Sequence, residues 1–315
     1  MSLPIATLAE LTTVLGRHHE RAEKLPSLDL RALSRIVEHT PADMTVTVEA
    51  GLTLGELQSR LAERGQWLPL DPPHPDTLTL GALLDANANG PRRFGYGTAR
   101  DHLLGLTVAL ADGRVIHSGG KVVKNVAGYD LMKLFVGARG SLGVIVGATF
   151  KLRPLPEAER FVEARCESQA QAAALIESVV ASELTPVVVD WHNLSTPNSQ
   201  RSTVVLGFAG TRAEVDWQLG VALTLGLRGE SSLEHECRFW SGEFRGEPRS
   251  ASVLPSRLLA AVTQFGQAPF VARAGNGVIW HRCGPELEEA KQPSTLAKRV
   301  KAAFDPNQIL AELPT

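Results

Sequence analysis

The stretch GGKVVKNVAGYDLMKLFVGARGSLG, residues 119–143, constrains this chain more than any other. It is glycine-rich at both ends and basic in the middle, with a short apolar, helix-like run between. Gly119, Gly120, Gly128, Gly140 and Gly143 mark points where the backbone must bend or be approached closely, because glycine carries no Cβ. Lys121 and Lys124 gather charge beside these turns. Packing alone has little use for that combination. A backbone that must meet a large anionic ligand does.

The rest of the chain narrows the function classes. Its 315 residues are enough for two domains, each with its own core. A net charge of −2 argues against a dedicated nucleic-acid binder, which would carry a basic excess. Three scattered cysteines, Cys166, Cys237 and Cys283, form no C-x-x-C, so neither a zinc ribbon nor an iron–sulfur ligand set is expected. The nine histidines form no H-E-x-x-H, and no metal site is expected. G-x-S-x-G is absent too, which leaves acyl transfer without support. No apolar run reaches membrane-spanning length, and the start lacks a secretory pattern. The expectation is a cytoplasmic protein without a membrane span.

Pattern places most elements. Thr7-x-x-Glu10, Thr53-x-x-Glu56 and Thr211-x-x-Glu214 are capping-box signatures that open helices. Residues 45–50, 104–111, 115–118 and 144–152 alternate like strands, with Asp112-Gly113 as a hairpin turn. A short helix is expected over 79–86, and another over 130–136, capped by Gly137. Pro154 and Pro156 break the pattern, and the boundary between domains 1–155 and 156–315 is placed there. Beyond it, strands at 161–167, 187–191, 203–208, 251–254 and 270–274 alternate with helices at 168–182, 211–225 and 256–265. That order reads as an α+β sandwich, with a last helix over 295–304.

Two further segments carry candidate chemistry. The loop 89–101, NGPRRFGYGTARD, sets Arg92, Arg93 and Arg100 among Gly90, Gly95 and Gly97, a pattern suited to phosphate or carboxylate. It would serve equally as a solvated basic loop. His281 and Arg282, after the turn Gly275-Asn276-Gly277, are a weak candidate base and carboxylate clamp; an ordinary strand end explains them too. Gly137-x-x-Gly140-x-x-Gly143 departs from the dinucleotide fingerprint, since Ala138 replaces a glycine and no strand precedes it.

The runs KNVAGYDL (124–131) and GSLGVI (140–145), with PRRFGYG (91–97), resemble the FAD-linked oxidases with a PCMH-type flavin domain, in particular the FAD-binding subunit of glycolate oxidase. Residues 46–155 and the C-terminal tail carry the likeness. It implies an α+β fold, with a PCMH-type FAD-binding domain of two α/β subdomains followed by a ferredoxin-like α+β substrate domain, and a tail returning to the flavin domain. It also implies oxidation of a small 2-hydroxy acid, with a second FAD subunit and an iron–sulfur subunit as partners. The FAD contacts carried over are Pro72, Thr79, Gly81, Asn87, Gly90, Arg92, Gly97, Thr98, Asp101, Lys124, Gly143, Val144 and Ile145. Lys121, Lys124 and Arg92 are the candidates for stabilising negative charge on the reduced flavin or on a substrate carboxylate.

Three departures keep a second reading open. No glycine lies between Gly16 and Gly51, where the family has a Gly-rich diphosphate turn; RHHERAEKLPSLDL runs there instead. Ala82 replaces the second glycine of Thr-Leu-Gly-Gly, a strained choice if that position needs a positive φ. The tail lacks the family's Asn-Pro-Gly. The chain is therefore either a flavoprotein subunit or a structural subunit whose FAD binding is weakened or lost.

Overall fold

The computed structural model describes residues 2–120, 131–194, 202–285 and 292–314. They form two compact units: Met1–Gly90 with Gly97–Leu155 and Lys291–Thr315, and Pro91–Tyr96 with Pro156–Ala290.

In the first unit, β1 (Leu3–Pro4), α1 (Leu8–Arg21) and β2 (Leu28–Asp29) make a small parallel β-α-β hook. Half of the expected capping box forms: Thr7 Oγ1 accepts the Glu10 N–H, while Glu10 reaches one residue further back and accepts the Ala6 N–H rather than that of Thr7. Then come β3 (Ile36–Thr40), β4 (Thr45–Glu49), α2 (Leu54–Ala62), β5 (Gln66–Trp67), α3 (Leu80–Ala86), then α4 (Arg93–Tyr96), which belongs to the second unit, and α5 (Ala99–His102), β6 (Leu103–Ala109), β7 (Val115–Gly119), α6 (Met132–Phe135), β8 (Val144–Lys151) and β9 (Arg153–Pro154). The main sheet is antiparallel in the order β3-β4-β8-β6-β7. Val46 and Val48 of β4 point into the core and the alternate threonines out, the period-2 pattern that fixes register. Leu54, Leu57 and Leu61 of α2 and Leu80, Leu83 and Leu84 of α3 cover that core. The Asp112-Gly113 turn is real, but residues 110–114 make a five-residue connection, with Gly113 at φ +82°, rather than a two-residue hairpin.

The second unit adds β10 (Ala158–Cys166), α7 (Gln169–Val180), β11 (Val188–Asn193), β12 (Ser202–Gly210), α8 (Arg212–Thr224), β13 (Gly229–Ser231), α9 (Glu234–Trp240), β14 (Arg249–Ser252), α10 (Leu258–Gln264), β15 (Phe270–Arg273) and β16 (Val278–His281). The order β13-β10-β12-β11 from a β-α-β-β-α-β chain is ferredoxin-like, and β15, β16 and β14 extend it to seven antiparallel strands. Trp191, Val204, Leu206 and Phe208 are buried in its core. The last helix, α11 (Thr295–Phe304), returns to the first unit, where Phe304 meets Phe135 edge-on at 5.5 Å. The α+β fold class therefore holds.

Candidate cofactor cavity

A cavity of about 840 Å³ opens in the first unit, large enough for a dinucleotide. Four stretches wall it: the connection from Lys24 to Arg31, the start of α3, the turn and strand from Arg139 to Ile145, and the tail from Ile309 to Glu312.

Each wall has a local cause. Thr79 caps α3 by accepting the Ala82 N–H at 3.3 Å. Gly81 donates to the Ala50 carbonyl at 2.7 Å, and a Cβ there would lie 2.9 Å from the Ala50 methyl, so the glycine is needed for close packing. Ala82 sits in ordinary helical backbone, so replacing a glycine there carries no strain; that expectation is corrected. Gly143 packs edge-to-edge on β6, where a Cβ would meet Val108 at 2.6 Å, and this brings its main chain to the cavity wall.

Between α6 and β8 the chain turns sharply. Ser141 N–H donates to Ala138 O at 3.0 Å, with Arg139 at φ +50° and Gly140 at φ +72°. Two consecutive positive φ values are the signature of a type I′ turn. The Asp85 carboxylate accepts the Gly140 N–H at 2.6 Å, and the Asp85 carbonyl accepts that of Arg139 at 3.0 Å. Burial pushes the Asp85 carboxyl above its ordinary range, against the opposing pull of the Gly140 N–H and of Arg139.

The tail is bolted down by Lys301. Its ammonium donates to Asp305 Oδ2, to Ser141 O at 2.8 Å and to Ala311 O at 2.9 Å. Asp305, fully buried, also accepts the N–H groups of Ile309 and Leu310. After β2 the chain makes a tight turn: Leu33 N–H bonds Leu30 O, and Gly51 N–H bonds Leu33 O.

Among the described residues, three cations and three carboxylates line the cavity. Lys24 pairs with Glu312 at 2.8 Å, and Arg31 with Asp29 at 2.6 Å. The hydrogen bond from Arg31 pulls the Asp29 carboxyl down to about 2. Arg139 makes no side-chain hydrogen bond or ion pair among the described residues. Volume, glycine-thinned walls and an uncommitted cation together fit a dinucleotide with an anionic centre.

Of the residues singled out in the sequence, Thr79, Gly81, Gly143, Val144 and Ile145 line this cavity. Pro72, Asn87, Gly90, Arg92, Gly97, Thr98 and Asp101 are not among its lining residues. Asn87 is the left-handed C-cap of α3, and Gly90 closes on the Asp71 carbonyl, where a Cβ would sit 1.9 Å away. Arg92 pairs with Glu159 at 2.6 Å, and Thr98 with Asp101 forms the capping box of α5. Lys121 and Lys124 lie outside the described residues. His281 is buried and stacked on Phe265 at 4.5 Å; Arg282 donates to the carbonyls of Phe244 and Gly246. Neither lines the cavity. Asp85 and Arg139 were missed in the sequence, whereas the tail had been expected to return to the flavin domain. A left-handed Arg-Gly turn has no local signature, and the tail reaches the cavity only through the tertiary fold.

A second cluster lies in the second unit. Asp190, His235 and Glu236 are near enough to share a cation, but the Arg273 guanidinium already spans both carboxylates, at 2.8 and 2.7 Å. His235 Nε2 bonds Asp190 Oδ2 at 2.8 Å and stacks on His192, which burial holds neutral with its pKa lowered to about 3.

Comparison with known proteins points the same way. A family model described as FAD binding domain matches residues 2–119. The chain is 32% identical to glycolate oxidase subunit GlcD of Bacillus subtilis over 55% of its own length and 40% of that protein's. It is 38% identical to glycolate oxidase subunit GlcE of Escherichia coli over 42% and 38% of the two chains. These likenesses support an FAD-linked oxidase with a PCMH-type FAD-binding domain. A D-lactate dehydrogenase of Archaeoglobus fulgidus is 40% identical over 42% of this chain and 28% of its own length. The matched stretch thus spans well under half of each curated relative. Among solved structures, an alkyldihydroxyacetonephosphate synthase superposes with a TM-score of 0.74 over 97% of this chain and 74% of its own, at 16% identity, which shows a shared fold.

Proposed function

We propose that this chain is an FAD-dependent oxidoreductase subunit that takes part in oxidising a small 2-hydroxy acid within a multi-subunit complex. One observation carries the reading: the 840 Å³ cavity is walled by the GSLGVI main chain and by the Gly81 turn, the segments that carry the family likeness. Relatives named glycolate oxidase subunits and D-lactate dehydrogenase supply the substrate class. Bound FAD supplies the two-electron acceptor for such an oxidation. The chain's own part is to hold and orient it. Thr79, Gly81 and the main chain of Gly143, Val144 and Ile145 form the wall against which it lies, and Asp85 and Lys301 fix that wall. His281 and Arg282 are assigned no step, because both are committed to packing.

Partners follow from the same likeness: a second flavin subunit, and an iron–sulfur subunit to carry electrons away. A cytoplasmic setting is part of the proposal; among the described residues no helix is long and apolar enough to cross a membrane. A second reading, a structural subunit with weakened flavin binding, is favoured by the pairing within the protein of Lys24 and Arg31, two of the three cations that line the cavity among the described residues.

The visible spectrum of the purified chain, with FAD stoichiometry after denaturation, separates the two. Near one FAD per chain, with oxidation of glycolate or D-lactate once partners are added, is the expected result. A colourless chain that takes up no FAD, alone or with partners, leaves only the structural subunit.

A further inference from the structure

We propose that Arg139 is the anion anchor of the cavity and that it takes the diphosphate of the bound dinucleotide, in place of a glycine-rich loop. This rests on the flavin reading above and goes beyond it by assigning the charge.

The argument begins with backbone conformation. Positions 139 and 140 are the two central residues of a type I′ turn, and both have positive φ. Asparagine, aspartate or glycine is the usual choice at the first of these, because a longer side chain crowds its own backbone there. This chain has arginine. Nothing in the turn itself needs it. The hydrogen bonds that shape the turn, from Ser141 N–H to Ala138 O and from Gly140 N–H to the Asp85 carboxylate, are all independent of the Arg139 side chain. A residue held in a disfavoured conformation, with no structural task for its side chain, points to a use for that side chain.

Charge supplies the second, independent line. Among the described residues the cavity has three cations. Lys24 is bound to Glu312 and to the Leu310 carbonyl, and Arg31 chelates Asp29 through three hydrogen bonds. Only Arg139, exposed at the rim, has no such partner among the described residues. An incoming anion would have to break an existing pair to engage either of the others. Arg139 needs no such exchange. Its planar fork suits two phosphate oxygens at once. The nearby Asp85 carboxylate is already turned onto the Gly140 N–H. Asp85 thereby fixes the turn that presents Arg139.

The test uses the full chain and reads binding rather than turnover. FAD, riboflavin and ADP are titrated into the wild type, Arg139→Met, Arg139→Lys and Arg139→Gly, following flavin fluorescence for the first two and calorimetry for ADP. The proposal expects FAD and ADP affinity to fall at least tenfold in the Met and Gly variants, about 1.4 kcal/mol. Arg139→Lys should retain part of it, and riboflavin, which lacks the diphosphate, should be indifferent. The salt dependence of FAD binding should flatten in Met and Gly. Arg139→Gly is also the folding control. Glycine accepts positive φ, so its ligand-free melting temperature should equal or exceed that of the wild type while FAD affinity drops. Met and Gly variants that bind FAD as tightly as the wild type overturn the anchor and leave the flavin reading intact. A wild type that binds ADP but neither flavin, with ADP lost in the variants, keeps the anchor and removes the flavin. A wild type that binds neither FAD nor ADP overturns both.

Discussion

The two charged clusters of this chain are built from similar side chains and do opposite things. In the second unit, Asp190, Glu236, His235 and Arg273 are buried and bonded to one another, and Trp240 adds a hydrogen bond to Glu236. In the first, the charges line an open cavity, two pairs are largely solvated, and one arginine makes no pair. Burial is the difference that matters. A dry charge must be satisfied by the protein, so it becomes architecture; a wet one has the freedom to meet a ligand.

That contrast can be broken most forcefully at Arg273. Arg273→Met leaves two buried carboxylates without their cation, and should cost about 3–5 kcal/mol in urea unfolding of the chain. A loss below about 1 kcal/mol would mean that the cluster is wetter than its burial implies.

Gly81→Ala is next. Its new methyl meets Ala50 at 2.9 Å, with an expected loss of about 1–3 kcal/mol from overpacking. FAD affinity should fall alongside, since the wall shifts. Unchanged melting and unchanged flavin uptake would argue that the α3 start gives way freely.

Lys301→Met should act through the tail. It leaves buried Asp305 with only its two backbone donors, at a cost of about 2 kcal/mol, and frees residues 309–312 for early proteolysis. A tail cleaved no faster than in the wild type would show that apolar packing of Ile309 and Leu310 suffices.

A smaller effect is a pH signature at Asp85. Its folded pKa is raised by burial, so the ionised form costs stability above that pKa, and the cost vanishes as pH falls and the group protonates. Asp85→Asn should therefore stabilise the ligand-free chain modestly at neutral pH, with the gain lost below the ordinary carboxylate range. A gain that is independent of pH would assign the effect to shape.

Much of the fold was legible because it depends on local chemistry. The three threonine N-caps start α1, α2 and α8 at the residues expected, with the full capping box only at α8, and alternation in residues 45–50 and 144–152 found two neighbouring strands of the sheet. The elements that escaped lack periodicity. α9 buries His235, Glu236 and Phe239, two of them charged or polar, and β3 shows only partial burial on its core side. The cavity was half legible. Thr79, Gly81 and the GSLGVI run stood out by motif, whereas Arg93 and Arg100 attracted attention as a basic loop, yet Arg100 serves to cap the carbonyls of Lys133 and Val136.

By itself, then, the sequence determined where helices begin, which strand faces are apolar, and which glycines thin a wall, since each follows from neighbours a few residues apart. Tertiary structure decided which charges remain available. Lys24 and Glu312 are separated by 288 residues, and Asp85 and Gly140 by 55. Whether a cation is spent on a partner or left for a ligand depends on such distant encounters, and no local pattern encodes them.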